Sequence, residues 1–502
     1  MLQNLPVEIL YMIIDQLPIA SILDLRQVSK HLKQIVTYDR SFWAYVYPGR
    51  TYSLLRREGP FKWQTAKMLE SNFIKSVNLR RNWPPVAYPK PVQTHGPINF
   101  FGNLKFELLC GKWLLSLEQN SKQILCYDLD RAAELANDGP QFHPSPILYE
   151  CYDKDFKITQ FCCTSTLLSE RSGNENHPAA FLLVTEYNGG RTLFGVILGD
   201  GSFPRLHMVL QTNHPTFPPA SSSISIGPRF LAISFRSKEV NAPAMSVDVE
   251  TYQRYHLPES AVDATKDVRS VTIITSSTHV LFFQRYRPPY EWGSELHVLA
   301  YIIPPLRGTR PGPVMSASVE LKLSHEFLED TFISAPFVPD LRSYTLLRDS
   351  QVQPSGEVIM TIVAVDFNQD QNIVVGFLFP KLIPVSQGIG SIILCTNARH
   401  DDVPNCFVGG NSERIRIQPS INGRTRAVAA SYNDEMTRIT ALFLYDKNSN
   451  ETPAMAAESY VPCFCDRKAD SWYIAGFDAY YGRIITAERS HKGHVLAIDD
   501  FV

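Results

Sequence analysis

Apolar and polar positions follow two different rhythms along this chain, and the change of rhythm divides it. Over roughly the first fifty residues the spacing is helical. Leu5, Ile9, Met12, Ile13 and Leu17 fall on one side of a helix, and Val7, Leu10, Tyr11 and Ile14 cover much of the rest. Pro6 suits a first turn, where its missing N–H would be unpaired anyway, and Glu8 places negative charge near the positive helix end. A helix is therefore expected from about Pro6. Pro18 biases Leu17 away from helical angles and ends it. Ser21, with Asp24 reaching back as in a capping box, predicts a second start. Ser29 predicts a third, with Leu32, Ile35 and Val36 on one face, and Asp39 or Ser41 opens one more turn around Phe42, Trp43 and Val46.

Helical spacing resumes after a break at Gly59-Pro60: Ala66, Leu69, Phe73 and Val77 share one face, while Lys62, Lys67, Lys75, Arg80 and Arg81 lie on or near the others, as a solvated surface. This helix reads as a bridge to the rest of the chain. The first helix is the informative one. A helix apolar nearly all round is buried on more than one side, and units of about forty residues seldom support a core alone. The apolar surplus predicts a partner surface.

Trp83-Pro84-Pro85, Pro89, Pro91 and Pro97 interrupt the helical pattern, because proline supplies no backbone donor. The organisation expected is a helical module over residues 1–48, a helical bridge and Pro-rich linker over 49–100, and a third unit over 101–502. In that third unit the period becomes two. Runs rich in Val, Ile, Phe, Tyr and Thr come in pairs joined by polar turns: Trp113–Leu117 with Ile124–Asp128, Phe181–Tyr187 with Thr192–Leu198, and Phe230–Phe235 with Met245–Val249. His279–Gln284 with Leu296–Ile302, Val358–Val365 with Ile373–Phe379, Arg426–Ser431 with Ile439–Tyr445, and Arg483–Ala487 with His494–Ile498 complete the series. Asp128, Asp248, Asp446 and Asp499 each stand at or near the turn that ends a second strand, where a carboxylate holds a turn by accepting from backbone N–H groups. Repeated antiparallel units suggest a seven-bladed β-propeller, with six or eight blades, or stacked β-sandwiches, as alternatives. Leu104–Cys110 is the expected ring-closing strand, added near Leu496.

The order L-P-x-E-I-L from Leu5, then Ile13 and Leu17, L-x-L-R-x-V-S-K from Leu23 to Lys30, and D-x-x-F-W from Asp39 to Trp43 resembles an F-box. That resemblance implies a small helical module docking on the Skp adaptor of cullin–RING ubiquitin ligases. It places Leu5, Pro6, Ile9, Leu10, Ile13, Leu17, Leu23, Leu25, Val28 and Lys30 at or behind the interface. The β half is similar in rhythm to the irregular propellers found behind fungal-type F-boxes. Together these imply a substrate-recognition adaptor whose β domain binds a target protein. The rivals are a Skp-binding scaffold acting outside any ligase, and a propeller enzyme carrying an F-box.

Composition narrows the partners. Lys plus Arg, at 48, nearly balances 50 Asp plus Glu, so neither nucleic acid nor an acidic membrane is expected to bind. No apolar run reaches the length of a membrane span and no signal peptide is read, so the expected location is the cytosol or nucleus. Nine scattered cysteines do not form a disulfide framework. Asn450-Glu451-Thr452 fits a glycosylation acceptor that would go unused there.

No phosphate loop, dinucleotide fingerprint, HExxH or GxSxG is present, so no catalytic residue, cofactor or metal is expected. Cys463 with Cys465, the adjacent Cys162 and Cys163, and Cys395 with Cys406 lack zinc spacing and read as packing thiols. His400-Asp401-Asp402 reads as a polar loop. The aromatics of Arg285–Trp292 and of Asp478–Tyr481 are of interface type, as is a basic run of Arg414, Arg416, Arg424 and Arg426 that would suit acidic or phosphorylated targets. Each has the plainer reading of a covered or solvated surface.

Overall fold

Helices come first and strands follow in the computed structural model. It describes residues 5–50, 60–62, 64–82, 92–101, 105–117, 122–130, 147–151, 157–165, 178–186, 190–198, 203–212, 222–227, 230–235, 245–248, 254–256, 267–287, 295–302, 344–352, 354, 358–367, 373–383, 391–399, 415–417, 424–432, 437–445, 455–460, 472–478, 481–490 and 493–501.

The helices are α1 (Val7–Asp15), α2 (Ile19–Val28), α3 (Lys30–Tyr38), α4 (Arg40–Arg50) and α5 (Ala66–Asn82). Pro6 stands just before α1 and Pro18 just before α2. Ser21 therefore lies inside α2 rather than capping it: proline, with its fixed φ, places the cap at Pro18, three residues earlier than the capping-box pattern suggested. Ser29 caps α3 as expected, its hydroxyl accepting from the Leu32 N–H at 3.2 Å. Asp39 opens α4 by accepting from the Ser41 N–H at 2.8 Å. The expected single turn is a helix of 11 residues, because its apolar face continues through Tyr47.

One core joins all five helices. Leu10, Ile14, Ile22, Leu32, Val36, Phe42, Trp43, Val46 and Tyr47 are buried in it together with Ala66, Leu69 and Phe73 of α5. The rings run in a chain: Tyr11 meets Phe42 at 5.5 Å, Phe42 meets Trp43 at 5.2 Å, and Trp43 meets Phe73 at 5.7 Å. The Trp43 indole N–H donates to the Val36 carbonyl at 2.9 Å, so its one polar atom is satisfied. The Arg40 guanidinium fastens the entry to α5, donating to the carbonyls of Phe61 at 2.7 Å and Gln64 at 2.9 Å. Arg26 bridges the Glu70 carboxylate at 2.6 Å. The bridge helix thus belongs to the N-terminal module and supplies the cover that forty residues lack.

The strands begin with β1 (Gln93–Phe101) and then form antiparallel sheets in sequence order. The first holds β2 (Phe106–Leu109), β3 (Trp113–Leu117), β4 (Gln123–Asp128) and β5 (Ile147–Glu150). The second holds β6 (Ile158–Ser165), β7 (Ala180–Glu186), β8 (Arg191–Ile197) and β9 (Arg205–Thr212). In the third are β10 (Ser222–Ile226), β11 (Phe230–Phe235), β12 (Met245–Asp248) and β13 (Arg254–His256), and in the fourth β14 (Asp267–Thr275), β15 (His279–Arg287) and β16 (Glu295–Ile302). The fifth comprises β17 (Tyr344–Val352), β18 (Val358–Phe367), β19 (Ile373–Ile383) and β20 (Ser391–Arg399). The sixth comprises β21 (Ile415–Ile417), β22 (Arg424–Tyr432), β23 (Thr437–Tyr445) and β24 (Met455–Tyr460). The last holds β25 (Trp472–Asp478), β26 (Arg483–Ser490) and β27 (Gly493–Asp500), with β1 as its outermost strand.

Inner strands meet in turn: β2 lies against β6, β6 against β10, β10 against β14, and β14 against β17. Sheets five and six meet through β17 and β22, β21 lies against β25, and β25 returns to β2. This closed radial order is that of a β-propeller. Its cores lie between sheets. Leu109, Trp113 and Ile124 pack with Phe161, Leu182 and Val184 of the next sheet, and Phe106 and Leu114 pack with Ile485 and Leu496 of the last. Covered on both faces, β7 and β8 are buried along almost their whole length.

Ring closure differs from expectation. The closing strand is β1, paired antiparallel with β27 from Gln93 opposite Asp500 to Phe101 opposite Gly493. Of the stretch Leu104–Cys110, Phe106–Leu109 is instead β2, the inner strand of the first sheet, and the strands of the β domain start with β1 at Gln93. Pro97 suggests a linker, yet proline is excluded only from central strands. It sits on an edge strand, in the register shift between His95 and Ile98, where no ladder N–H is needed. The proline-rich residues 83–91 lie outside the described residues.

The fourth sheet contains a pH-sensitive element. In the β14–β15 turn His279 is buried, its Nδ1 lies 2.7 Å from the Thr278 hydroxyl, and burial lowers its pKa to about 4. The unfolded chain accepts a proton below pH ~6.5 that the native imidazole refuses. Stability present above pH ~6.5 is lost as the pH falls towards 4, by roughly 3 kcal/mol. Urea midpoints across that range should fall more steeply for the wild type than for His279→Gln; parallel curves would refute the assignment.

Candidate functional site

No metal-holding group of three or more His, Cys, Asp or Glu occurs among the described residues. The Cys162 and Cys163 thiols are both pushed up by burial, Cys162 to about 12, which keeps them protonated. Cys163 lies 3.6 Å from the Leu108 carbonyl, joining the first two sheets. Cys395 lies on β20, and Arg416, Arg424 and Arg426 on β21 and β22. Tyr187, residues 288–292, His400, Asp401, Asp402, Cys406, Arg414, Asp446, Asn450, Cys463, Cys465 and Tyr480 lie outside the described residues. Tyr481 serves the plainer purpose, half-buried between the Lys75 ammonium, 5.0 Å from its ring, and the Arg483 guanidinium at 5.3 Å.

The surface that the core leaves uncovered is on α1. Leu10, Tyr11 and Ile14 point inward, and burial and then the adjacent Asp39 carboxylate, to which the hydroxyl donates, push the Tyr11 phenol's pKa up. The opposite side is apolar and exposed: Leu5 at 37 %, Ile9 at 44 %, Met12 at 55 % and Ile13 at 41 %. Positions 5, 9, 12 and 13 share one helix face by the i, i+4, i+7, i+8 rule. This solvent-facing apolar stripe is held rigidly by the packed inner face of the same helix.

The ten residues marked by the sequence separate into three groups. Leu5, Pro6, Ile9, Ile13, Val28 and Lys30 are exposed; Leu17, Leu23 and Leu25 are half-buried against the core; Leu10 is fully inside it. Leu10 therefore supports the surface from within. Sequence reasoning put Met12 on the stripe but left it out of the interface, although its i+3 spacing from Ile9 was the available signal. Exposed Val7, and Tyr45, whose ring lies 5.9 Å from that of Tyr11, were also missed.

The matching family model, F-box-like, spans residues 2–48, the segment that bears this stripe. The chain carries an F-box-like domain. Such domains generally dock on Skp adaptors, and the F-box-like domain here extends its core through α5 beyond the matched segment. No curated protein matches the chain. Among solved structures it is similar to the WD40 domain of SCAP from fission yeast, at 8% identity over 80% of this chain and 84% of that one, with a TM-score of 0.37. It is also similar to Drosophila Semaphorin 1a extracellular domains 1-2, at 12% identity over 82% and 88%, with a TM-score of 0.38. The Nup133 β-propeller domain of Vanderwaltozyma polyspora follows at 10% over 79% and 83%, with a TM-score of 0.24. The propeller assignment behind the F-box-like domain rests on the closed radial order of the sheets.

Proposed function

We propose that this chain is a substrate-recognition adaptor of a Skp–cullin–F-box ubiquitin ligase. The observation that carries the reading is the exposed stripe of Leu5, Ile9, Met12 and Ile13 on an F-box-like domain whose inner face is already packed. Seating that stripe in an apolar groove of the Skp adaptor removes from water the surface that the core cannot cover. Leu5, Pro6, Ile9, Ile13, Val28 and Lys30 make the contact, and Leu10, Leu17, Leu23 and Leu25 hold it in place.

The propeller then presents a target protein. The α5 helix meets the ring through Lys75 over Tyr481 and through Asn82 at the Phe501 carbonyl, and the target protein binds the β domain away from that junction. The adaptor raises the effective concentration of target near the ubiquitin-charged enzyme and performs no chemistry itself. It works in the cytosol or nucleus.

Co-purification from cells tests this. The tagged wild type should bring down a Skp adaptor and a cullin, and the Ile9→Asp, Ile13→Asp variant neither. A Skp adaptor without cullin would make the chain a ligase-independent scaffold; recovery of neither by folded wild type would remove the docking reading.

A further inference from the structure

The helix α5 belongs to two structures at once. Its first half lies in the helical core through Ala66, Leu69 and Phe73. Its second half touches the propeller at the place where the ring is closed. The Lys75 ammonium lies over the Tyr481 ring, and the Asn82 side-chain amide donates to the Phe501 carbonyl at 3.0 Å.

Those two contacts reach a dense seam. Tyr481 stacks on Arg483 and packs over Gly111 of the β2–β3 turn, where an added Cβ would fall 2.2 Å from the Tyr481 Cβ. Gly111 also has φ +64°, so backbone and space both require glycine there. Buried Arg483 donates to the Gly111 carbonyl at 2.8 Å, to Asp130 at 3.0 Å and, through two nitrogens, to the Asp500 carboxylate. Closing strand β1 enters here, with the Val92 N–H donating to the Asp500 carbonyl at 2.7 Å and the Thr94 hydroxyl to Asp499 at 2.8 Å.

We infer that the helical module and the closing seam of the propeller open and close as one cooperative unit, joined through α5. Regions that share packed side chains unfold together as one local unit, whereas independent domains open separately. Among the described residues α5 touches both parts, through its first half and its second, and nine residues separate Asn82 from Val92, just before the closing strand. A protein seated on α1 therefore also holds the ring shut, because a ligand of the closed unit stabilises every part of it. The coupling is a property of the fold and holds whatever protein occupies α1.

Hydrogen exchange on the full chain tests this with two variants inside the helical core. Ile22→Val is mild enough to fold, and Phe73→Ala is the stronger lesion. Both should accelerate exchange in residues 7–47, about fivefold for Ile22→Val and at least about a hundredfold for Phe73→Ala. The acceleration should pass to residues 93–101 and 493–500 up to about tenfold, the limit set by one cation–π contact and one hydrogen bond. The strands of the second and third sheets should not change. Adding Lys75→Ala and Asn82→Ala should leave the helices accelerated and return residues 93–101 to their rate in the Lys75→Ala, Asn82→Ala chain. Acceleration confined to residues 7–47 in the single variants, or transmission that survives loss of Lys75 and Asn82, overturns the inference.

Discussion

Arg483→Met should destabilise the β domain by about 2–3 kcal/mol, the scale of losing charge-assisted hydrogen bonds from a buried guanidinium whose partners Asp500 and Asp130 are partly exposed. Arg483 is 4 % exposed and connects three parts of the chain distant in sequence: the β2–β3 turn through Gly111, the end of β4 through Asp130, and the end of β27 through Asp500. Burial alone would lower the guanidinium's pKa, but the hydrogen bonds and charges of Asp500 and Asp130 outweigh it and raise it, so the ion is held in its charged form. Methionine matches much of the volume, leaving the Asp500 carboxylate without its cation and the Gly111 carbonyl without its donor. A domain of this kind has only about 5–15 kcal/mol in total. The guanidinium chloride midpoint measures the loss; a change below about 1 kcal/mol would show that water satisfies the seam as well as Arg483 does.

The second large effect is on binding. Ile9→Asp with Ile13→Asp should cost the fold only about 1–2 kcal/mol, since both positions are partly exposed and the cost is that of two helical carboxylates at i, i+4, one in the last turn. Affinity for the Skp adaptor should nevertheless fall at least a hundredfold, about 2.7 kcal/mol, because each carboxylate would be carried unpaired into an apolar interface. Circular dichroism checks the first half and a binding titration the second. Weak binding together with lost helicity would attribute the effect to folding instead.

How legible these features are in the sequence depends on burial. Each of the seven strand pairs predicted from alternation and turn residues supplies the second and third strands of a sheet, as with β3 and β4 or β26 and β27. Central strands are covered on both faces and carry the runs of Leu, Val and Ile that mark them. Of the inner and outer strands only β2 was marked as a strand; among those missed, β10 reads Ser-Ser-Ile-Ser-Ile and β9 exposes Arg205, His207 and Met208, so neither carries a clear apolar run. The closing strand was misplaced because Pro97 resembles a linker residue until its edge position is known. The exposed stripe was visible as apolar surplus on α1, but which half of that surplus faces outward is decided by Phe42, Trp43 and α5, beyond the helix itself. No sequence signal joins Arg483 to Gly111 and Asp130, because the contact exists only once the ring has closed.

The most direct test of the account mixes the purified full chain with purified Skp adaptor and follows hydrogen exchange across residues 5–50. A one-to-one complex should form in which protection rises along α1 and around Val28, with the Ile9→Asp, Ile13→Asp variant showing none. A folded wild-type chain whose α1 exchanges at the same rate with and without the adaptor would contradict it.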